Sequence, residues 1–213
     1  MCFTAHMAEA ATMNEAAGAR QPIHPLYVRI THWINALAIL IMIGSGWQIY
    51  NASPLFPFTF PPSVTLGGWL AGGIMWHLAG LWLLVINGLV YLTLGFATGR
   101  FRRKLLPIRP REVVRDFAAA ATGRLSHDDL THYNAVQKLA YAGILATGVV
   151  IVLSGLAIWK PVQLWELTLL FGGYETARLV HFFAMTAIVL FLLLHVTMAL
   201  IVPKSLRAMI TGQ

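Results

Sequence analysis

The sequence predicts an all-α membrane protein, a bundle of four transmembrane helices. Two observations carry this prediction. The 213 residues are 58% hydrophobic and only 11% charged, whereas a typical soluble domain carries about 25% charged residues. In addition, the chain contains four apolar runs, and each is long enough to cross a bilayer, which takes about 20 residues of helix. We expect these spans at about residues 26–50, 66–97, 134–159 and 176–202.

The polar segments set the limits of the membrane domain. Residues 1–22 contain no compact apolar run, so we expect a mobile cytoplasmic tail followed by a single four-span domain over residues 23–213. Residues 99–133 are too charged to enter lipid. Apolar residues nevertheless recur there at helical spacing, at Val113, Val114, Phe117, Ala118 and Ala121. This pattern predicts a cytoplasmic loop that carries a helix lying on the membrane surface.

The distribution of cationic residues predicts the orientation. Of the 15 Lys and Arg residues, all but Lys160 and Arg178 lie in the N-terminal segment, the middle loop or the C-terminal tail. Cytoplasmic loops carry an excess of Lys and Arg, so we expect an inner-membrane protein with both termini and the middle loop in the cytoplasm. The excess of Lys and Arg in the expected cytoplasmic segments therefore explains the formal charge of +7 better than a nucleic-acid-binding face does. The lone Cys2 excludes an intrachain disulfide and a cysteine metal cluster.

Four histidines lie inside the apolar runs, at His32, His77, His181 and His195. An ionisable group is costly within a bilayer and for that reason indicates function. His181 and His195 are two heptads apart, so they share one helix face about 21 Å apart along the axis. Odd spans run outward and even spans run inward. His32 and His195 are therefore expected at the cytoplasmic level, and His77 and His181 at the periplasmic level.

Paired depths point to metal ligands. A single histidine in an apolar helix is more often a hydrogen-bonded packing group than a ligand. Four histidines that match in depth two by two are typical of imidazole pairs that clamp a planar metal cofactor between helices, as imidazole does for haem iron. Zinc is disfavoured because its structural sites need four close ligands. We therefore predict two b-type haems, with all four histidines as axial ligands.

Other polar residues have weaker assignments. Arg29 near His32, and Arg178 near His181, are placed to pair with haem propionates, or else they serve as flanking anchors of their spans. Asn35 and Asn87 lie within spans and are expected to form interhelical hydrogen bonds.

The remaining histidines are expected outside the haem sites. His132 stands at the cytoplasmic start of the third span, where it is a candidate partner for a quinone head group, with an interfacial helix cap as the preferred alternative. His6, His24 and His127 lie in the tail or in loops and are expected to be solvated.

Several segments resemble the bacterial cytochrome b561 and nickel-iron hydrogenase b-type cytochrome family. They are RITHWINAL around His32, GGWLAGGIMWHLAGLWLLVINGLVY around His77, HYNAVQKLAY at the third span and the H-x13-H of the fourth. The resemblance covers about residues 23–209. It implies a di-haem subunit that transfers electrons between a periplasmic redox partner and the quinone pool. The second segment is most similar to members that accompany periplasmic molybdopterin oxidoreductases.

The expected circuit places the periplasmic partner at the upper haem, near His77 and His181, and the quinone at the lower haem, near Arg29, His132 and Lys138. A docking surface is expected in the periplasmic loops, which expose apolar side chains: Phe56, Phe58, Phe60, Trp165, Leu169 and Phe171. Two alternatives remain open at this stage. One is a stand-alone quinone-linked superoxide oxidase, and the other is a proton or metal transporter with a histidine relay.

Overall fold

The computed structural model describes residues 23–122 and 134–212, and within these ranges the regular elements are helices. Four of them are long and apolar enough to cross a membrane. They are α1 (Leu26–Ala52), α2 (Leu70–Ala97), α5 (Ala135–Trp159) and α7 (Tyr174–Ile201). The protein is therefore a multi-pass integral membrane protein, and the predicted all-α, four-span fold is confirmed. The tail expected at residues 1–22 lies outside the described residues.

Shorter helices join or follow the spans. A 3-10 turn at Pro62–Val64 precedes α2, and two helices, α3 (Arg100–Leu105) and α4 (Pro110–Ala121), lie in the basic middle segment. Helix α6 (Trp165–Leu170) precedes α7, and α8 (Pro203–Thr211) follows it. The sequence analysis did not anticipate α8. Its first residue is a proline, which is well suited to that position because its fixed φ fits a helix and its missing N–H would be unpaired there anyway.

Helix α4 lies where the sequence predicts a surface helix. Its Val114 and Phe117 side chains are 71% and 66% exposed, as apolar residues that face lipid would be. Its Asp116 side chain accepts a hydrogen bond of 2.9 Å from the backbone N–H of Ala135, at the first turn of α5. This N–H is an orphan donor of a helix N-terminus, and its bond is the main reason that the pKa of Asp116 lies below its usual range. Asp116 thus ties the surface helix to the bundle.

The four spans are arranged as two helical hairpins. Helix α1 packs along α2, and α5 packs along α7, whereas the two hairpins approach each other more sparsely. We call the end at which α1 ends and α2 begins the upper end, and the end at which α1 begins the lower end. An apolar groove lies between α1 and α7 and is lined in part by Leu40, Gly44, Val189 and Leu193. The bundle is therefore open between hairpins, where a planar group needs room.

Polar and aromatic contacts join the hairpins at the upper end. The Phe182 ring of α7 lies 5.2 Å from the ring of Phe56 and 5.5 Å from that of Tyr50, measured between centroids. Arg178 of α7 donates a hydrogen bond of 2.7 Å to the backbone carbonyl of Ser53, just beyond α1. These contacts fix the relative position of α1 and α7 above the groove.

The C-terminal helix closes the lower end. The indole N–H of Trp33 donates to the carbonyl of Met209 at 3.4 Å, and Arg29 donates to the carbonyl of Ile210. The backbone N–H of Ile23 donates to the carbonyl of Gly212 at 2.8 Å. The last carbonyls of a helix have no intrahelical partner, so α8 uses them to hold the beginning of α1.

The helix α2 begins at Leu70 because the segment before it is held against α1. The backbone N–H of Leu66 donates to the carbonyl of Gly44 at 2.9 Å. Gly67 then adopts a φ of +116°, and a Cβ added there would lie 2.3 Å from the backbone nitrogen of Gly73. Only glycine fits this turn, since any side chain would strike the first turn of α2.

Buried amides join α1 to α2 in the lower half. The Asn87 side chain donates to the Thr31 carbonyl and to the Asn35 side chain, each at 2.7 Å. The expected interhelical hydrogen bonds of Asn35 and Asn87 are thus confirmed. Because Thr31 precedes His32, these bonds also fix the rotation of α1 at that histidine.

Candidate functional site

The four intramembrane histidines come together as two pairs. The ring centroids of His32 and His195 are 6.0 Å apart, and those of His77 and His181 are 6.3 Å apart. We call His77 and His181 the upper pair and His32 and His195 the lower pair. In each pair one imidazole comes from the α1–α2 hairpin and the other from α7. Each pair therefore bridges the two hairpins.

The spacing of each pair fits one metal ion between two imidazoles. A metal–imidazole bond is about 2.0–2.1 Å for zinc, and the ring adds roughly 1.1 Å between nitrogen and centroid on each side, so linear coordination places the centroids roughly 6.3 Å apart. In the described part of the chain, no three His, Cys, Asp or Glu side chains converge as a metal cluster. The donor set is therefore two separate imidazole pairs, as axial ligation of a planar metal cofactor requires.

Ser45 fixes the His77 ring. This serine is fully buried, and its Oγ lies 2.6 Å from the Ile41 carbonyl and 3.0 Å from His77 Nδ1. A carbonyl only accepts, so the Ser45 hydroxyl donates its one hydrogen to Ile41 and offers a lone pair to His77. Nδ1 of His77 therefore carries the proton, which leaves Nε2 free to bind a metal.

Ser154 fixes the His181 ring in the same way on the other hairpin. It is also fully buried, and its Oγ lies 3.1 Å from His181 Nδ1. The same Nδ1 lies 3.1 Å from the carbonyl of Ile151. Since a carbonyl has no hydrogen to give, Nδ1 must be the donor, and the Nε2 of His181 is free as well.

A glycine follows each of these serines and lies against the same imidazole. A Cβ at Gly46 would be 3.3 Å from Cε1 of His77, and a Cβ at Gly155 would be 3.1 Å from Cε1 of His181. A side chain at either position would push on the ring. The Ser-Gly pairs at 45–46 and 154–155 thus orient the upper imidazoles from both hairpins.

The lower pair has aromatic neighbours instead. The Phe191 ring stacks on His195 with centroids 5.6 Å apart and an interplanar angle of 11°, and Trp33 lies edge-on to His32 at 5.3 Å. Within the described ranges, no side chain or carbonyl forms a hydrogen bond with a ring nitrogen of His32 or His195. The upper and lower pairs therefore differ in their hydrogen bonding.

Two buried N–H donors have no hydrogen-bond partner among the described residues: Arg29 Nε at the lower end and Trp47 Nε1, on the α1 turn that carries Ser45. A buried unpaired donor is costly. Trp47 also lines the apolar groove between α1 and α7. Both donors fit a ligand that carries acceptor groups, and a haem carries two carboxylates. The chain's own residues are therefore compatible with such a group at each level.

Arg178 is occupied by other partners. Besides Ser53, it contacts the Glu175 carboxylate at 3.1 Å. It lies at the upper end, as expected, and its observed contacts are those of an anchor between α7 and α1.

The remaining histidines give one correction. His24 was expected to be solvated, but it is half-buried and accepts a hydrogen bond of 3.2 Å from Arg100. Burial, followed by the charge of Arg100, lowers its pKa to about 4, so the ring is neutral at physiological pH. His6, His127 and the quinone candidate His132 lie outside the described residues.

Ser45 and Ser154 are the site residues that sequence reasoning missed. A serine in a transmembrane helix is common, and its hydroxyl usually bonds to its own helix. One signal was present, because the first and the third span both carry Ser-Gly near their ends. Only the packing shows that each pair meets a histidine of the following span.

Comparison with known proteins gives a family. Residues 23–212 match the sequence model of prokaryotic cytochrome b561. A protein of Azospira oryzae is 51% identical over 190 residues, which cover 89% of this chain and 96% of that protein. That protein has the provisional name protein-methionine-sulfoxide reductase subunit YedZ1. The family match implies a b-type haem.

Proposed function

This chain belongs to the prokaryotic cytochrome b561 family, and we propose that it is a membrane electron-transfer subunit with two b-type haems. The observation that carries the proposal is the presence of two imidazole pairs at separations of 6.0 and 6.3 Å. The upper pair would hold one haem and the lower pair the other. Haem iron supplies reversible one-electron chemistry. The protein positions the imidazoles and offers buried donors to acidic substituents.

The proposed partner is a soluble periplasmic oxidoreductase at the upper end. The loops there expose apolar side chains, among them Phe58 (46% exposed), Trp165 (56%) and Leu169 (63%). Such a patch suits a docking protein. The relative from Azospira oryzae is named as a subunit of a reductase, which favours an assembly over a stand-alone superoxide oxidase. The family resemblance favours a molybdopterin enzyme as the partner.

Electrons would then run from quinol to the partner, because a reductase consumes electrons. The quinone site is proposed at the lower end, beside Arg29 and near Lys138 in the first turn of α5. Both residues are cationic and stand near the beginning of a span, where a quinone head group would exchange protons with water. The lower haem would be the first to receive an electron and the upper haem the second.

The haem count and the electron route are tested together. Purified protein is expected to hold about two low-spin, six-coordinate haems per chain, because each iron has two imidazoles. Quinol should reduce both, and an oxidised partner should reoxidise them. A colourless protein would favour the histidine-relay transporter. One haem per chain would contradict the two-site proposal. Reduction of the haems by superoxide, with the electrons passed on to quinone and no partner protein required, would favour the stand-alone enzyme.

Orientation is tested by reporter fusions. We expect fusions at Arg109 and at the C-terminus to behave as cytoplasmic, and fusions at Pro57 and Leu167 to behave as periplasmic, since 13 of the 15 Lys and Arg residues lie on the first side. A periplasmic Arg109 would place the upper pair near the cytoplasm and reverse the proposed circuit.

A further inference from the structure

We propose that Ser45 and Ser154 set the reduction potential of the upper haem. This inference rests on the proposed function. Each hydroxyl oxygen accepts a hydrogen bond from the Nδ1–H of an upper imidazole, at 3.0 and 3.1 Å. A hydrogen bond from the outer nitrogen makes an imidazole a stronger electron donor to its metal, and this favours the oxidised metal. The two serines therefore lower the upper potential, and they do so through the ligands, without touching the metal.

The serines differ from other hydroxyls within the spans. Thr147, Thr186 and Thr197 donate to carbonyls of their own helices, at 2.8–2.9 Å, as such side chains commonly do. Ser45 and Ser154 also have a partner on a neighbouring helix, and that partner is a ring nitrogen in both cases. A role confined to helix packing would not require the same contact twice on two separate hairpins.

The hydrogen bonds also explain how both ligands obtain the same tautomer. His77 donates to Ser45. His181 donates to Ser154 and to the Ile151 carbonyl. Removing the Ser154 hydroxyl leaves the Ile151 carbonyl as an acceptor, so the His181 imidazole stays in place and loses only part of its hydrogen bonding. A serine variant should therefore alter the potential without loss of the haem.

The effect is confined to one level. In the part of the chain that the structure describes, the lower imidazoles have ring contacts with Trp33 and Phe191 and no such acceptor. The two haems would thus respond differently to the serine substitutions. This difference separates a direct effect on one pair of ligands from a general loosening of the bundle.

The experiment is a redox titration, followed by absorbance, of full-length holoprotein. We expect Ser45→Ala and Ser154→Ala each to shift one of two midpoint potentials upward, the same one in both variants, and the double variant to shift it further. Ser45→Cys should give a smaller shift than Ser45→Ala, because sulfur still accepts a hydrogen bond, although more weakly than oxygen does. Thr186→Val is the matched control. It removes a hydroxyl that bonds only to its own helix, at 2.9 Å to Phe182, and should move neither midpoint.

Distinct outcomes separate this inference from the proposed function. Wild-type protein without two b-type haems would contradict the proposed function itself. Two haems with unchanged midpoints in the serine variants, or equal shifts of both midpoints, would overturn the inference alone. Loss of the upper haem from Ser45→Ala or Ser154→Ala would also overturn it, because the hydroxyl would then be needed to place the ligand and not to tune the metal.

Discussion

Replacement of His181 by alanine is expected to reduce the haem content from about two to about one per chain, because the proposed upper haem would lose one of the two imidazoles that hold its iron. His77→Ala should give the same loss. The remaining haem should keep the spectrum and midpoint potential of the lower centre, since the lower pair comes from His32 and His195. A pyridine haemochrome assay and a redox titration of the purified variants measure both quantities.

The assignment of the four histidines to two pairs is tested by comparing a variant of the lower pair with one of the upper pair. His32→Ala should remove the haem that His181→Ala retains. His24→Ala is the matched control: this histidine is half-buried and bonded to Arg100, takes no part in either pair, and its replacement should leave both haems. If His32→Ala and His181→Ala removed the same spectral component, the pairs drawn here would be wrong.

Replacement of Arg29 by glutamine is expected to slow electron exchange with a quinone analogue by about tenfold or more, since a lost charge-assisted hydrogen bond typically costs about 1.5–3 kcal/mol. Arg29 combines a buried, unpartnered Nε with a second donor that holds the Ile210 carbonyl. It therefore both fits a ligand at the lower haem and secures α8. Stopped-flow reduction of the haems by a quinol analogue gives the rate.

A structural effect must be separated from a loss of quinone contact. Electron exchange between the Arg29→Gln variant and the oxidised periplasmic partner should stay near the wild-type rate, because the upper end is unaltered. Arg109→Gln, which removes an exposed arginine paired with Glu112 at 3.1 Å, should change neither rate. Unchanged quinone kinetics in Arg29→Gln, together with slower kinetics on substitution of Trp165, would place quinone at the upper end.

Much of the site could be derived before the structure. Depth in a bilayer follows from a fixed rise per residue and from the alternating direction of successive spans. The pairing of His32 with His195 and of His77 with His181 at two levels could be predicted for that reason, and the observed centroid distances agree with it. The predicted family is likewise confirmed by the match over residues 23–212, since its motifs surround the histidines themselves.

Rotation about each helix axis was not available from the sequence. Whether Ser45 faces lipid, its own helix or His77 depends on how α1 packs on α2, and these two residues are 32 positions apart. The mean pattern of apolar residues gives little help, because a transmembrane helix is apolar on all sides. The same ambiguity concealed Ser154, and it concealed the role of α8, whose carbonyls meet Arg29 from 181 positions away.

The sequence by itself determined the number of spans, the depth of each histidine and the family, because hydropathy, helical rise and local motifs are properties of short stretches of chain. Only the tertiary structure decided which hydroxyls meet the upper imidazoles, which buried donors of the described residues are left unpaired and how α8 holds the lower end. Those features depend on helix rotation and on contacts between distant segments, and the packing of the helices on one another fixes both.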